Sequence, residues 1–360
     1  MTYKADKAGV VGAAGFAGIE LVRLLLDHPQ FDLEVVTSDA LANVPVSEAY
    51  PAFEDACDLS FSTHDEARSV LNECDVVFLA VPHTAAMGMA PELVSHGVTV
   101  IDLSADFRLK DPSTYEAWYK TPHTAPDLLQ EAAFGLPEIT GNELARAAAR
   151  HAAGPAVLVG CAGCYPTATS LAAAPAIRAG LVDPNGVVVV DAISGVTGAG
   201  KKATERTHFC FANENLEAYG VATHRHTPEI EQILGLQGRL VFTPHLAPLN
   251  RGLLSTVNLP LAPGADVPST SGLVELYRGF YANSPLVSVL PEGRLPKTAS
   301  VAGTNRAHVG LAVHETARMI IAVGAIDNIG KGAAGQAVQC ANIVFGLTQT
   351  MGLDSVSVPV

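Results

Sequence analysis

Along residues 16 to 27, Phe16, Ile19, Val22 and Leu26 recur at three- and four-residue steps, which predicts a helix with one apolar face. A short apolar strand, Ala8 to Val11, precedes it across a glycine-rich turn, and Leu33 to Thr37 reads as a second strand. Val76 to Val81 is apolar without interruption, as a central parallel strand buried on both faces should be. Pro82 closes that run, a helix is expected from about Thr84 to Ser95, and Val98 to Asp102 forms the next strand. Strands alternating with helices predict a parallel, doubly wound sheet.

The pattern changes after Leu181. Gly186 to Ile193 is a long β-branched run, and Arg239 to Thr243, Gly252 to Leu259, Val309 to Val313 and Arg318 to Val323 read as further strands. Most of their connections lack a crossover helix, so this half predicts a mainly antiparallel sheet. Residues Gly332 to about Met351 return to helical character, with Ala333, Ala334, Ala337, Val338, Ala341 and Val344 as a stripe of small apolar side chains. Such a stripe suits close packing back on the first sheet. The expected division is a first domain of residues 1–163 and 329–360 and a second of residues 164–328. No repeat is visible, and residues 145–153 read as an alanine-rich turn.

Composition narrows the class. Of 360 residues, 22 are Lys or Arg and 36 are Asp or Glu, giving a formal net charge of −14. An acidic chain without basic clusters is a poor partner for nucleic acid or anionic membrane, which need Lys/Arg stripes to meet phosphate. Hydrophobic residues make up 48% and charged residues 16%, so the chain can bury enough apolar surface to order itself. Lys4 and Lys7 before an apolar run resemble a signal peptide, but Gly9, Gly12, Gly15 and Gly18 interrupt that run, and no uncharged stretch reaches the ~18 residues that span a bilayer. Six cysteines at irregular spacing do not make a disulfide framework, and a cytoplasmic location with reduced thiols is expected.

The first chemical signal is Gly12-Ala13-Ala14-Gly15-Phe16-Ala17-Gly18, between strand and helix. There a dinucleotide pyrophosphate meets backbone N–H groups and the positive end of the helix dipole. The spacing is GxxGxxG rather than GxGxxG, and a plain strand–helix turn is the alternative. About twenty residues past the last glycine, where an NAD site carries an acid for the ribose, stands Ser38. A hydroxyl there tolerates the 2′-phosphate of NADP; Asp39 beside it complicates the reading.

The second signal is Gly163-Cys164-Tyr165-Pro166-Thr167. Proline favours the first position of a helix, so a helix is expected from Pro166, with Gly180 ending it. Cys164 then stands just before a helix start, where the dipole favours a thiolate nucleophile. Cys161 and Cys164 form a CxxC that also fits dithiol exchange or half a zinc site, but no second CxxC exists, and no metal is expected. An inert buried thiol fits Cys57, Cys74 and Cys340 better. In His224-Arg225-His226-Thr227-Pro228-Glu229, Thr227 is expected to cap a helix from Pro228, which makes His226 the preferred acid/base and His224 the second candidate.

Taken in order, these motifs carry a family resemblance. Asp102 to Arg108 (DLSADFR), Gly135-Leu136-Pro137-Glu138, Ser194 to Gly200 (SGVTGAG), Thr243-Pro244-His245-Leu246, Arg251-Gly252, Gly303-Thr304-Asn305 and Lys331 to Gln336 join the segments already quoted. The chain resembles the N-acetyl-γ-glutamyl-phosphate reductases of the aspartate-semialdehyde dehydrogenase-like superfamily. The resemblance implies a Rossmann-type domain plus an α+β catalytic domain of the glyceraldehyde-3-phosphate dehydrogenase-like type, and a homo-oligomer, dimer or tetramer. It implies NADPH-dependent reduction of N-acetyl-glutamyl 5-phosphate to the 5-semialdehyde in arginine biosynthesis, through a thioester on Cys164. The cofactor would contact Gly12, Gly15, Phe16, Ala17, Gly18, Ser38, Ser194, Gly195 and Asn328. The substrate's phosphate and carboxylate would fall to Arg108, Lys201, Arg225 and Arg251. Two positions depart from the family's habit: Cys161-Ala162 stand where Asn-Pro is frequent, so backbone N–H groups must hold the oxyanion, and Asp39 stands where Arg is frequent. The same chemistry on aminoadipyl or aspartyl phosphate, and a non-enzymatic NADP sensor on the same fold, are the competing readings. Intact Cys164, His224 and His226 speak against the sensor.

Overall fold

The first sheet is built from runs that bury both faces. β1 (Asp6–Val11), β2 (Phe31–Thr37), β3 (Val76–Leu79), β4 (Thr99–Asp102), β5 (Ala133–Gly135) and β6 (Leu158–Cys161) pair in parallel in the order β2-β1-β3-β4-β6-β5. This computed structural model describes residues 5–358; Lys4 and the outermost residues of the expected domain ranges lie outside them. β3 and β4 are buried at every position: β3 is wholly apolar, and β4 buries Thr99 and Asp102 at the ends of its apolar centre. The chain leaves β1 for β2 on one side and then crosses to β3 on the other. The topological switch therefore lies between β1 and β3, at the carboxyl ends where doubly wound sheets bind ligands.

Helix Phe16–Leu26 follows β1 as its spacing predicts. Residues 145–153 are not a turn: all but the last belong to helix Pro137–Ala152, whose alanines have the highest helix propensity. The helix expected from Thr84 starts at Ala86, and Thr84 takes φ +77°, a strained setting for a β-branched residue. Asp106 holds that strain in place, accepting from the backbone N–H of Thr84 at 2.7 Å and of Met87 at 3.1 Å and from the Tyr115 hydroxyl at 2.7 Å.

The C-terminal helix, Gly335–Val344, is shorter than its sequence suggests and ends before Gly346 at φ +69°. Its Ala337, Val338, Ala341 and Val344 are buried, and so are Gln339 and Asn342. Gln339 donates to Glu138 at 3.1 Å and Asn342 to the Met351 carbonyl at 2.9 Å, so the buried amides are satisfied locally. The chain divides into two compact units, one running to Ala162 and resuming at Ala333–Asp354, the other holding Gly163–Gly332 and the tail from Ser355.

The second unit contains β7 (Val188–Gly195), β8 (Glu217–Ala218), β9 (Leu240–Ala247), β10 (Leu253–Pro260), β11 (Val287–Val289), β12 (Ala307–His314) and β13 (Met319–Ile326). Their order is β11-β12-β13-β10-β7-β9-β8, with β7/β9 and β11/β12 parallel and the other neighbours antiparallel. One face packs on helix Cys164–Arg178: a Cβ on Gly324 of β13 would meet the Ala168 carbonyl at 2.5 Å, and Thr169 bonds Ser255 of β10 at 2.9 Å. On the opposite face Val189, Asp191, Ile193, Val241, Thr243, Leu254 and Thr256 are partly or fully exposed. Among the described residues, that face carries no helix of this unit.

Candidate functional site

In the first unit the glycines of the strand–helix turn have separable causes. Gly12 has φ +79°, and a Cβ on it would meet the Ala80 carbonyl at 2.5 Å; a Cβ on Gly18 would meet the Gly12 carbonyl at 2.3 Å. Packing alone therefore excludes side chains at both. Gly15 differs, because an added Cβ meets only the Gly12 carbonyl at 3.5 Å, an ordinary contact. No side chain caps the helix that Gly15 opens. Phe16, Ala17 and Gly18 thus present first-turn amides across a bare backbone, and the turn fits a dinucleotide pyrophosphate. At the end of β2, Ser38 is buried while the Asp39 side chain is 65% exposed, so the acid rather than the hydroxyl is the more accessible group. The Thr37 hydroxyl lies 2.6 Å from His64 Nδ1, a neighbour the linear sequence does not suggest.

In the second unit, helix Cys164–Arg178 begins at Cys164 itself, with Gly163 as N-cap. The expected start at Pro166 is two residues late, because proline here occupies the third helical position rather than the first. Cys164 is part-exposed, and a Cβ on Gly332 would meet its Cβ at 2.7 Å. Gly332 in turn sits in a π-helical turn, Gly330–Ala334, whose approach is fixed by the buried Asp327, which accepts from the backbone N–H groups of Gly303, Ile329 and Gly330. Cys161 is buried, and the Cys340 thiol beside it, with that burial, pushes its own thiol well above the ordinary range. Of the two CxxC sulfurs, Cys161 is buried and Cys164 is part-exposed.

The histidines gather against Tyr165. Its ring centroid is 5.5 Å from that of His224 and 6.0 Å from that of His226, and the two imidazoles are 4.9 Å apart. The Tyr165 hydroxyl donates to the His245 carbonyl at 2.9 Å and accepts from Tyr219 at 3.2 Å. Burial, then Tyr219, raises the Tyr165 pKa far above normal, and burial takes Tyr219 to about 12, so both remain neutral phenols. His224 Nδ1 accepts the His226 backbone N–H at 3.1 Å; burial and the Arg225 charge lower its pKa to about 4. Helix Thr227–Leu234 has His226 as its N-cap residue, so Thr227 lies inside the helix instead of capping it. Glu229, buried one turn on, accepts the Gly163 N–H at 2.8 Å and ties this helix to the Cys164 helix. That bond commits the Gly163 amide. Pro166 has no N–H, which narrows the backbone donors for an oxyanion at this helix start.

The remaining expected residues divide by what holds them. Arg108 is buried in the first unit and donates to the Leu103 carbonyl at 2.6 Å, beside Asp102, whose carboxyl burial and Asp106 raise to about 7. The DLSADFR segment thus holds Arg108 within the interior of the first unit. Arg251 lies 3.4 Å from Asp327 and balances that buried carboxylate. Lys201 and Arg225 are exposed. The Asn328 amide is committed on both sides, accepting from Gly252 N–H at 2.8 Å and donating to Thr197 at 2.9 Å. It fixes the Ser194–Gly200 turn against the start of β10 rather than reaching outward. Gly195 lacks a side chain because a Cβ would meet the Leu249 carbonyl at 2.7 Å, and the buried Ser194 reaches the Tyr165 hydroxyl. Tyr219, Glu229 and Asp327 are positioning groups that sequence reasoning did not single out. Among the described residues, no three His, Cys, Asp or Glu side chains converge as a metal site would require.

Residues 7–147 match the family model of the semialdehyde dehydrogenase NAD binding domain, and residues 164–328 that of the semialdehyde dehydrogenase dimerisation domain. Aspartate semialdehyde dehydrogenase II from Vibrio cholerae superposes with TM-score 0.70 at 16% identity, covering 95% of this chain and 98% of that one. The Candida albicans aspartate semialdehyde dehydrogenase, solved with NADP, gives 0.69 at 16% over the same shares. At that identity the likeness shows the fold alone. Fold and domain models together define a semialdehyde dehydrogenase-class oxidoreductase that binds NAD(P).

The particular family follows from closer relatives. N-acetyl-γ-glutamyl-phosphate reductase of Symbiobacterium thermophilum is 45% identical over 352 residues, 96% of this chain and 97% of that protein. The Neisseria gonorrhoeae reductase is 44% identical over 358 residues, 98% of each chain. The chain belongs to the N-acetyl-γ-glutamyl-phosphate reductase family.

Proposed function

We propose that this protein reduces N-acetyl-glutamyl 5-phosphate to N-acetyl-glutamate 5-semialdehyde and phosphate with NADPH, in arginine biosynthesis. The observation that carries the reading is Cys164, part-exposed at the first position of its helix, packed against Gly332 and beside the Tyr165–histidine cluster. The Cys164 thiolate, favoured by the helix dipole, attacks the acyl carbon; the carbon–oxygen bond to phosphate breaks and phosphate leaves, giving a thioester. NADPH supplies, when bound, the hydride that the thioester carbon accepts. His226 gives a proton to the carbonyl oxygen as it gains charge and takes it back as the carbon–sulfur bond breaks, releasing aldehyde and thiolate. His224 positions His226 through the 3.1 Å bond to its backbone and stays neutral. Lys201 and Arg225 are the basic groups of the set left accessible for the substrate's anionic ends.

Self-association through the second unit is part of the reading, using the sheet face without a helix, where Val241 is 50% exposed. A dimer or tetramer in the cytoplasm, where a nucleophilic thiol stays reduced, is expected. Among the described residues no helix is long and apolar enough to cross a membrane. The decisive experiment is phosphate-dependent NADP reduction with N-acetylglutamate 5-semialdehyde, run beside the aspartate and aminoadipate semialdehydes. Cys164→Ser should abolish it and Cys161→Ser should not. The reverse pattern would assign the wrong sulfur, and preference for another semialdehyde would assign the wrong substrate.

A further inference from the structure

The end of β2 carries an arrangement that the reaction above leaves unexplained. An acid there belongs to sites that bind the ribose 2′-hydroxyl of NAD, and it repels a 2′-phosphate. Asp39 is such an acid, yet it is tethered: its Oδ1 accepts the His64 backbone N–H at 2.9 Å, and its Oδ2 lies 3.6 Å from His64 Nε2. The other ring nitrogen, Nδ1, is 2.6 Å from the Thr37 hydroxyl, which also accepts the Gly12 N–H at 3.4 Å. Residue 64 reaches this place because Thr37 and Ser62 form a parallel bridge, with Ser38 N–H bonded to the Ser62 carbonyl. His64 is thereby fixed to the glycine turn at one nitrogen and to the acid at the other. It borders a cavity of ≈ 230 Å³ whose floor includes Val11, Leu71 and Met89. Arg68, also on that cavity, is held by both oxygens of Glu92 at 2.6 Å.

We infer that His64 is the residue that reads the 2′-phosphate of NADP(H), its Nε2–H exchanging Asp39 for the phosphate while Thr37 holds the ring. The inference rests on the proposed NADPH chemistry and adds to it the group that selects the phosphorylated cofactor. With Nδ1 held on the Thr37 hydroxyl, Nε2–H is the nitrogen that donates to the phosphate. Asp39 then acts as the competitor that keeps the ring in place when no phosphate is present.

The test is calorimetric titration of the full-length protein with NADP+ and with NAD+ in the absence of substrate. His64→Gln should weaken NADP+ about tenfold or more and leave NAD+ within about twofold, the loss of one charge-assisted hydrogen bond. His64→Arg should restore NADP+ preference, which a merely structural histidine would not allow, and Asp39→Asn should tighten NADP+. An unchanged ratio of the two affinities in His64→Gln, or equal loss of both nucleotides in the Gln and Arg variants, would overturn the inference. Wild-type protein that binds neither nucleotide would instead sink the cofactor reading beneath it.

Discussion

Substituting alanine at Gly332 is the sharpest probe of the nucleophile's placement. Its Cβ would lie 2.7 Å from Cys164 Cβ and 3.2 Å from Cys164 Cα, where carbon atoms prefer about 3.5–4.0 Å. Something must move by about 1 Å. Gly332 has no positive φ, so alanine meets no backbone strain and the steric clash is isolated. The π-helical turn cannot yield easily, since Asp327 grips the amides of Gly303, Ile329 and Gly330 and its carbonyl takes the Gly332 N–H at 2.9 Å. Cys164 therefore gives way. Overpacking of this kind costs about 1–3 kcal/mol of stability, while a 1 Å error at a reacting atom costs about a hundredfold in rate. Gly332→Ala should accordingly lose about a hundredfold in kcat/KM for phosphate-dependent semialdehyde oxidation, with a modest fall in Tm. Alkylation of Cys164 by iodoacetamide should slow in parallel. Near-native kcat/KM together with unchanged alkylation would show that the nucleophile does not lie under Gly332, and the catalytic reading of Cys164 would fall with it.

The remaining predictions concern each unit separately. His224 takes up its proton in the unfolded chain near the ordinary value of 6.5 but in the folded chain only near 4, because burial and then Arg225 oppose the charge. Stability should therefore fall as pH drops from 6.5 towards 4, by on the order of 2 kcal/mol once solvent screening is allowed for, and His224→Asn should flatten that limb of a urea-denaturation profile. Thr84→Gly removes a β-branched residue from φ +77° and should raise stability by about 1 kcal/mol; a loss would mean that the Thr84 side chain contributes more than the backbone strain costs. Val241→Arg places a charge on the sheet face without a helix and should shift the protein to monomer in light scattering, whereas an unchanged mass would move the interface elsewhere.

What the sequence disclosed and withheld follows physical lines. The unbroken apolar run of β3 and the 3.6-residue period of helix Phe16–Leu26 are legible because each element's burial is written in its own residues. β5 and β6 carry a weaker signal: β5 has only three residues, and the four of β6 end in Gly160-Cys161 rather than in a β-branched run. The alanines at 145–152 were misleading for the opposite reason: a helix that presents few large side chains shows little periodicity, although alanine is the best helix former. Cap positions shifted at helices Cys164–Arg178 and Thr227–Leu234, since proline is compatible with any position in the first turn and names a helix start only to within a residue or two.

The site shows the same division more strongly. Cys164, His224 and His226 could be selected by residue type and neighbours, but what holds them is long-range. Glu229 reaches Gly163 across 66 positions, Tyr165 reaches the His245 carbonyl across 80, and Asn328 reaches Gly252 across 76. No local pattern announces such a bond. The cations illustrate the consequence: Arg108 and Arg251 look like anion ligands in their motifs, yet each lies against a buried carboxylate, Asp102 or Asp327. A buried carboxylate requires a partner, so part of a chain's positive charge is assigned by its own interior before any ligand arrives. In a protein of net charge −14, that demand leaves Lys201 and Arg225 as the exposed members of the four cations that the motifs single out, and these two are proposed for the substrate's anionic ends. The electrostatics of binding are thus set by subtraction, and the subtraction becomes visible only when the interior partners are known.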